Sequence, residues 1–218
     1  MSTSLGWQRL SDHLYLLEDT CNVYALLSGG EAVLVDFGTG VALDHLGEIG
    51  AGRAAAILHT HHHRDQCQGD YQASAAGIPI YMPEHERRLF EHAELFWADK
   101  QLFDMYNVRN TYFSLTQDVP VAGSLEDFGH WSWGPYTFTV LPTPGHTMGS
   151  VSLLVQVDGQ TVAFTGDLLY APGKVQTMYD MQYNYGAVDG VESAILSLGN
   201  LRRRGPRLLC PSHGVVMT

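Results

Sequence analysis

The chain has 218 residues, 45% of them hydrophobic and 16% charged, a length and balance that suit one globular domain with a sizeable core. Its 23 acidic residues against 12 basic ones give a formal charge of −11, and the only dense basic run is Arg202-Arg203-Arg204 at an expected helix end, where cations suit the helix dipole. That balance argues against a nucleic-acid substrate, because tracking a phosphate backbone calls for a basic patch.

Short β-rich runs come first. Residues 12–18, 22–28 and 32–36 are expected strands, the last two joined by the hairpin signal Gly29-Gly30. Residues 41–50 read as a short helix, and 54–58 as a buried strand running into His59-Thr60-His61-His62-His63-Arg64-Asp65-Gln66. Beyond this cluster the pattern predicts a helix over 66–76, a strand over 78–82 and an amphipathic helix over 84–100, with Leu89, Phe90, Ala93, Phe96 and Trp97 at helical spacing. Residues 101–134 are aromatic-rich and irregular, a loop length that is uncommon unless it is functional. Strands return at 136–141, 150–157 and 161–165, with the turn Asp158-Gly159 between the last two. A helix is expected over 189–204, opened by Asp189 and Glu192 at capping-box spacing, with Val191, Ile195, Leu198 and Leu201 as its apolar face. A strand over 207–210 then leads into Pro211-Ser212-His213-Gly214. Each half runs strands and then helix, which suggests two sheets packed together with helices outside.

Cys21, Cys67 and Cys210 form neither a metal spacing nor an even-numbered disulfide framework. The first residues lack the pattern of a signal peptide, and no apolar run approaches the roughly 18 residues of a membrane span. Reduced thiols, a cytoplasmic location and no membrane association are the expectations.

The chemistry concentrates in the histidine cluster. His59, His61 and His63 alternate, with Asp65 two positions further on. In an extended segment alternate side chains share a side, so His61, His63 and Asp65 are expected to converge. Imidazole and carboxylate are ligands that borderline metals such as zinc accept. His62 is expected to point the other way. His59 falls in the strand end, where it can support a ligand from behind. Distant ligands are needed to close such a site, and three candidates sit at strand ends near glycines: His146 in Pro144-Gly145-His146, Asp167 in Thr165-Gly166-Asp167, and His213.

In this order the segments resemble the signature of the metallo-β-lactamase superfamily: His-x-His-x-Asp-His, a Gly-His, an Asp after Thr-Gly, and a late His. The resemblance runs from the N-terminal strands to His213. It implies an α/β fold, a four-layer αββα sandwich of two mixed sheets flanked by helices, with metals at one edge. It also implies zinc as two ions, one on His61, His63 and His146, the other on Asp65 and His213, with Asp167 bridging; iron and manganese are the alternatives. One position departs from the pattern, since Gln66 stands where the family has His. A neutral amide oxygen is a weaker zinc ligand than imidazole, so the second ion is expected to be held loosely, differently or not at all. Gln66 would then coordinate through its oxygen or hydrogen-bond a metal-bound water.

A bound metal lowers the pKa of its water toward ~7 and polarises a carbonyl or phosphoryl oxygen. Asp65 is the candidate to orient that water and take its proton. Tyr170 and Tyr185 are candidates for hydrogen-bonding an oxyanion, against the plainer reading as structural members of a set of 11 tyrosines. The expected activity is hydrolysis of a small ester, lactone, thioester, amide or phosphoester. Glyoxalase II-like thioesterases carry Gly-Cys-Gly-Arg soon after the Thr-Gly-Asp motif, and the segment Leu168 to Lys174 lacks it, which marks that substrate down. His63 argues against the flavodiiron branch, which has Glu there. The aromatic stretch 96–113 and the segment Met178 to Tyr185 are candidate cleft walls, with core packing or a dimer contact as the plainer alternative. Two other classes stay open: a mononuclear-iron oxygenase, similar to the persulfide dioxygenases, on His61, His146 and Asp167, and a non-catalytic, metal-stabilised recognition domain. The chain ends five residues after His213, so a further C-terminal domain or a second copy in a homodimer belongs among the expectations.

Overall fold

The computed structural model describes residues 6–99, 113–175 and 189–218. The first sheet holds seven strands in sequence order: β1 (Gln8–Arg9), β2 (Leu14–Glu18), β3 (Asn22–Ser28), β4 (Glu31–Val35), β5 (Ala54–Leu58), β6 (Ile80–Pro83) and β7 (Gly123–Leu125). β1 to β4 pair antiparallel, and β4 to β7 pair parallel. The second sheet has five strands: β8 (His130–Trp133), β9 (Tyr136–Pro142), β10 (Val151–Val157), β11 (Gln160–Gly166) and β12 (Leu208–Pro211). It is antiparallel except for the β11–β12 pair.

Alternation along the strands builds two cores at once. Val33 and Val35 of β4 face the second sheet, where they meet Phe138, Val140, Leu153 and Phe164. Ala32 and Leu34 face the opposite way, toward Phe37, Phe90 and Leu115. A strand buried on both faces reads as a continuous apolar run, as Ala32 to Val35 does. Each fully buried side chain of this size contributes ~1.5–3 kcal/mol. The outer layer of the first sheet is made by α1 (Ala42–His45), a 3₁₀ turn (Leu46–Ile49), α2 (Arg64–Cys67), α3 (Asp70–Ala75), α4 (Arg88–Glu91) and α5 (Ala93–Asp99). On the far side of the second sheet, α6 (Asp189–Arg204) sets Ala194 and Leu201 against Leu141, Leu154 and Ala163. The fold is a four-layer αββα sandwich.

Both hairpin signals hold, since Ser28 pairs with Glu31 and Val157 with Gln160 across two-residue turns. Three expected elements are corrected. The helix expected over 66–76 is two pieces, broken at Gly69, whose N–H donates to Gly38 O at 2.8 Å. A Cβ on Gly69 would lie 2.4 Å from Gly40 N, so the chain crosses itself where only glycine fits. The helix expected over 84–100 is α4 and α5, interrupted at His92. There Phe90 O accepts the Val119 N–H and Asp118 Oδ1 accepts the Glu94 N–H, so a distant segment takes over the helix's own bonds. On α6 the buried face runs through Ala194, Ser197 and Leu201, whereas Ile195 is 64% exposed. Within 101–134, β7 and β8 are strands. Residues 100–112, the segment Met178 to Tyr185 and the side chain of Asp189 lie outside the described residues, and with them the greater part of the expected aromatic walls, the candidate Tyr185 and the expected cap.

Candidate metal centre

The polar clusters gather at one edge of the sandwich because β5, β9, β11 and β12 all end there. Backbone bonds knit the four segments together: Val151 N–H to Thr60 O at 2.9 Å, and Ser212 N–H to Gly166 O at 2.9 Å. Ser197 Oγ on α6 donates to Pro144 O at 2.7 Å, and a Cβ on Gly145 would meet Ala194 Cβ at 2.7 Å. The small residues on the inner face of α6 thus let the segment before His146 lie flat against the helix.

His61, His63, His146 and Asp167 each present one donor atom within 4.8 Å of the others, a group able to hold a metal ion. His146 Nε2 is 2.8 Å from His63 Nδ1 and 3.2 Å from Asp167 Oδ2, and His61 Nε2 is 3.7 Å from the same oxygen. His61 is fully buried and its Nε2 has no hydrogen-bond partner. Burial, reinforced by His63, His146 and the other neighbouring histidines, holds the His61 imidazole well below its usual range, which favours the neutral form that binds metals. Three imidazoles and a carboxylate with a buried nitrogen left over fit a divalent metal.

The other half of the cluster is arranged differently. Asp167 turns Oδ1 away from the three histidines to His213 Nδ1 at 2.8 Å, and His213 Nε2 lies 3.0 Å from Asp65 Oδ2. Burial works against the His213 charge, but Asp167 and Asp65 outweigh it and push its pKa up to about 11. Gln66 is fully buried and donates from Nε2 to Asp65 Oδ2 at 3.2 Å, while its Oε1 has no hydrogen-bond partner.

One expectation is corrected in detail. Asp65 does not continue an extended run after His63. It lies in the first turn of α2, which aims its carboxylate at His213 rather than into the histidine group. His59 is fully buried, with Nε2 3.0 Å from Asp70 Oδ1 and Nδ1 3.5 Å from Asp36 Oδ1. Burial lowers its pKa, yet Asp70 and Asp36 outweigh this and raise it to about 9. His62 points away from the group as expected, with Nδ1 2.9 Å from Glu86 Oε2. Tyr170 is 38% exposed and meets the His213 segment by backbone, its O accepting the Val215 N–H at 3.2 Å.

Sequence reasoning missed Asp36, which follows β4 with φ 53°, a left-handed conformation that is strained for a residue with a side chain. Its Oδ1 accepts the Thr60 N–H at 2.9 Å, and its Oδ2 accepts the hydroxyls of Thr60 and Ser212. One buried carboxylate therefore anchors the residues beside His61 and beside His213. The signal available was an acidic residue closing a fully apolar strand, Val33-Leu34-Val35-Asp36.

The family model for the Metallo-beta-lactamase superfamily matches residues 16–213. The chain belongs to that superfamily. Hydroxyacylglutathione hydrolase of Bdellovibrio bacteriovorus is 26% identical over 166 residues, covering 74% of this chain and 50% of that protein. Atrochrysone carboxyl ACP thioesterase of Aspergillus chevalieri is 24% identical over 202 residues, covering 90% of this chain and 52% of that protein. The chain thus spans about half the length of the curated relatives it matches. Among solved structures, the BLEG-1 B3 metallo-beta-lactamase superposes with a TM-score of 0.66 at 26% identity, covering 91% of this chain and 88% of that one. Among the described residues no helix is long and apolar enough to cross a membrane.

Proposed function

We propose that the chain is a zinc-dependent hydrolase of a small carboxyl derivative: an ester, thioester, lactone or amide. The observation that carries this reading is the convergence of His61, His63, His146 and Asp167 on one point, with a buried His61 nitrogen turned into it. A zinc ion held there would supply a water with its pKa lowered toward ~7 and would polarise the substrate's carbonyl oxygen. Asp167 would act through both oxygens, one toward the histidines and one toward His213. Asp65, braced by His213 and Gln66, would orient the water and accept its proton. Tyr170, whose backbone meets the His213 segment, would hydrogen-bond an oxyanion. The two curated relatives are named as a hydroxyacyl hydrolase and a thioesterase, which supports acyl substrates over phosphoesters.

Zinc bound per chain, together with turnover of a panel of chromogenic esters, lactones, thioesters, β-lactams and phosphodiesters, tests the reading. Zinc in the purified protein and acyl hydrolysis that is lost with the metal in His61→Ala are expected. Full metal content and full turnover in that variant would overturn the assignment. A second reading has its own observation: His61 Nε2 and His146 Nε2 both lie near Asp167 Oδ2, the two-histidine, one-carboxylate set of mononuclear-iron oxygenases. One iron per chain and oxygen uptake with a thiol-derived substrate would establish that reading instead.

A further inference from the structure

We propose that Glu86 is a positioning residue that locks the two histidine-bearing segments of the centre into one rigid unit. The inference rests on the reading that His61, His63 and His146 hold a metal. Glu86 lies in the turn between β6 and α4 and is 3% exposed. Its Oε2 is 2.9 Å from Nδ1 of His62, the buried residue between His61 and His63. Its Oε1 accepts the Gly149 N–H at 3.1 Å. Thr147 is the residue after His146, and its N–H donates to Ser150 Oγ at 3.1 Å, so the turn from 146 to 150 is closed on itself and meets the carboxylate at Gly149. One side chain therefore touches both segments from behind.

The fit is tight. A Cβ on Gly149 would stand 2.4 Å from Glu86 Cγ and 3.0 Å from Glu86 Cδ, so the turn approaches closely enough that only glycine fits. A buried carboxylate without partners is costly; this one has the Gly149 N–H on Oε1 and the His62 ring beside Oε2. Burial alone would raise its pKa, but His62, Thr147 and Gly149 hold it below the usual carboxylate range. His62 is thereby explained: it belongs to the histidine cluster in sequence, but its partner is a scaffold carboxylate. Groups that orient metal ligands from behind change affinity by ~10–100-fold.

Cobalt(II) titration of the metal-free full chain, competed with a chelating indicator, tests this with Glu86→Ala, Glu86→Gln and the control His146→Ala. Glu86→Ala is expected to weaken cobalt binding by about 10–100-fold and to shift the visible ligand-field spectrum. Glu86→Gln retains an acceptor for Gly149 and should recover part of the affinity and spectrum. Thermal melts of the metal-free variants separate this from general destabilisation. Should Glu86→Ala not fold, the near-isosteric Glu86→Gln carries the test, with about a tenfold loss and a shifted spectrum expected. Affinity and spectrum unchanged in the folded variants would overturn the role of Glu86 while leaving the metal reading intact. If His146→Ala bound cobalt like the parent, the metal reading itself would fall and the inference with it.

Discussion

The two sides of Asp167 are built on opposite plans. On one side, His61, His63 and His146 are buried, packed edge to face, with ring centroids 4.6–4.9 Å apart, and present nitrogens to a common point. On the other, His213 is already paired on both nitrogens with carboxylates, and the Asp65 side chain is 42% exposed. Gln66 adds an amide where an imidazole would add a strong ligand. The first side gathers three imidazoles and one carboxylate oxygen, and the second one imidazole, two carboxylate oxygens and an amide. With one imidazole against three, the second side is the weaker donor set for zinc.

The largest effect that would break this contrast is removal of a histidine from the first side. His146→Ala should weaken the tightest zinc by more than about 100-fold, beyond the range seen for supporting residues, as read by chelator competition. Asp36→Asn comes next, because Asp36 supports both sides through Thr60 and Ser212; about a 10–100-fold loss is expected at each. Ala194→Leu drives a larger side chain toward Gly145 and should cost about 1–3 kcal/mol in chemical denaturation, with the first zinc weakened through the His146 segment. Gln66→His should have the smallest effect on the first zinc and should raise the affinity for a second, seen as a second equivalent in titration.

Much of this was legible in the sequence, for local reasons. The two-residue hairpins carry their own turn residues, and β4 and β5 announce their burial by unbroken apolar runs. His61, His63, His146, Asp167 and His213 could be picked out because each follows a strand end and is a chemically unusual residue there. What stayed hidden depends on partners distant in the chain. The breaks at Gly69 and His92 arise where residues 38–40 and 118–119 take over backbone contacts. Asp65 looked like the next step of an alternation, and only the start of α2 turned it toward His213. Glu86 has no marker at all, since its partners lie 24 and 63 residues away at His62 and Gly149. On α6, Leu198 and Leu201 pack inward as expected, whereas Ile195 does not, because a close approach to Gly145 favours Ala194 and Ser197 there.

Calorimetric titration of zinc into the metal-free chain, compared with His146→Ala and His213→Ala, tests the contrast most directly. The first equivalent should bind tightly in the parent and in His213→Ala and vanish in His146→Ala. A tight first equivalent that survives in His146→Ala but is lost in His213→Ala would contradict it.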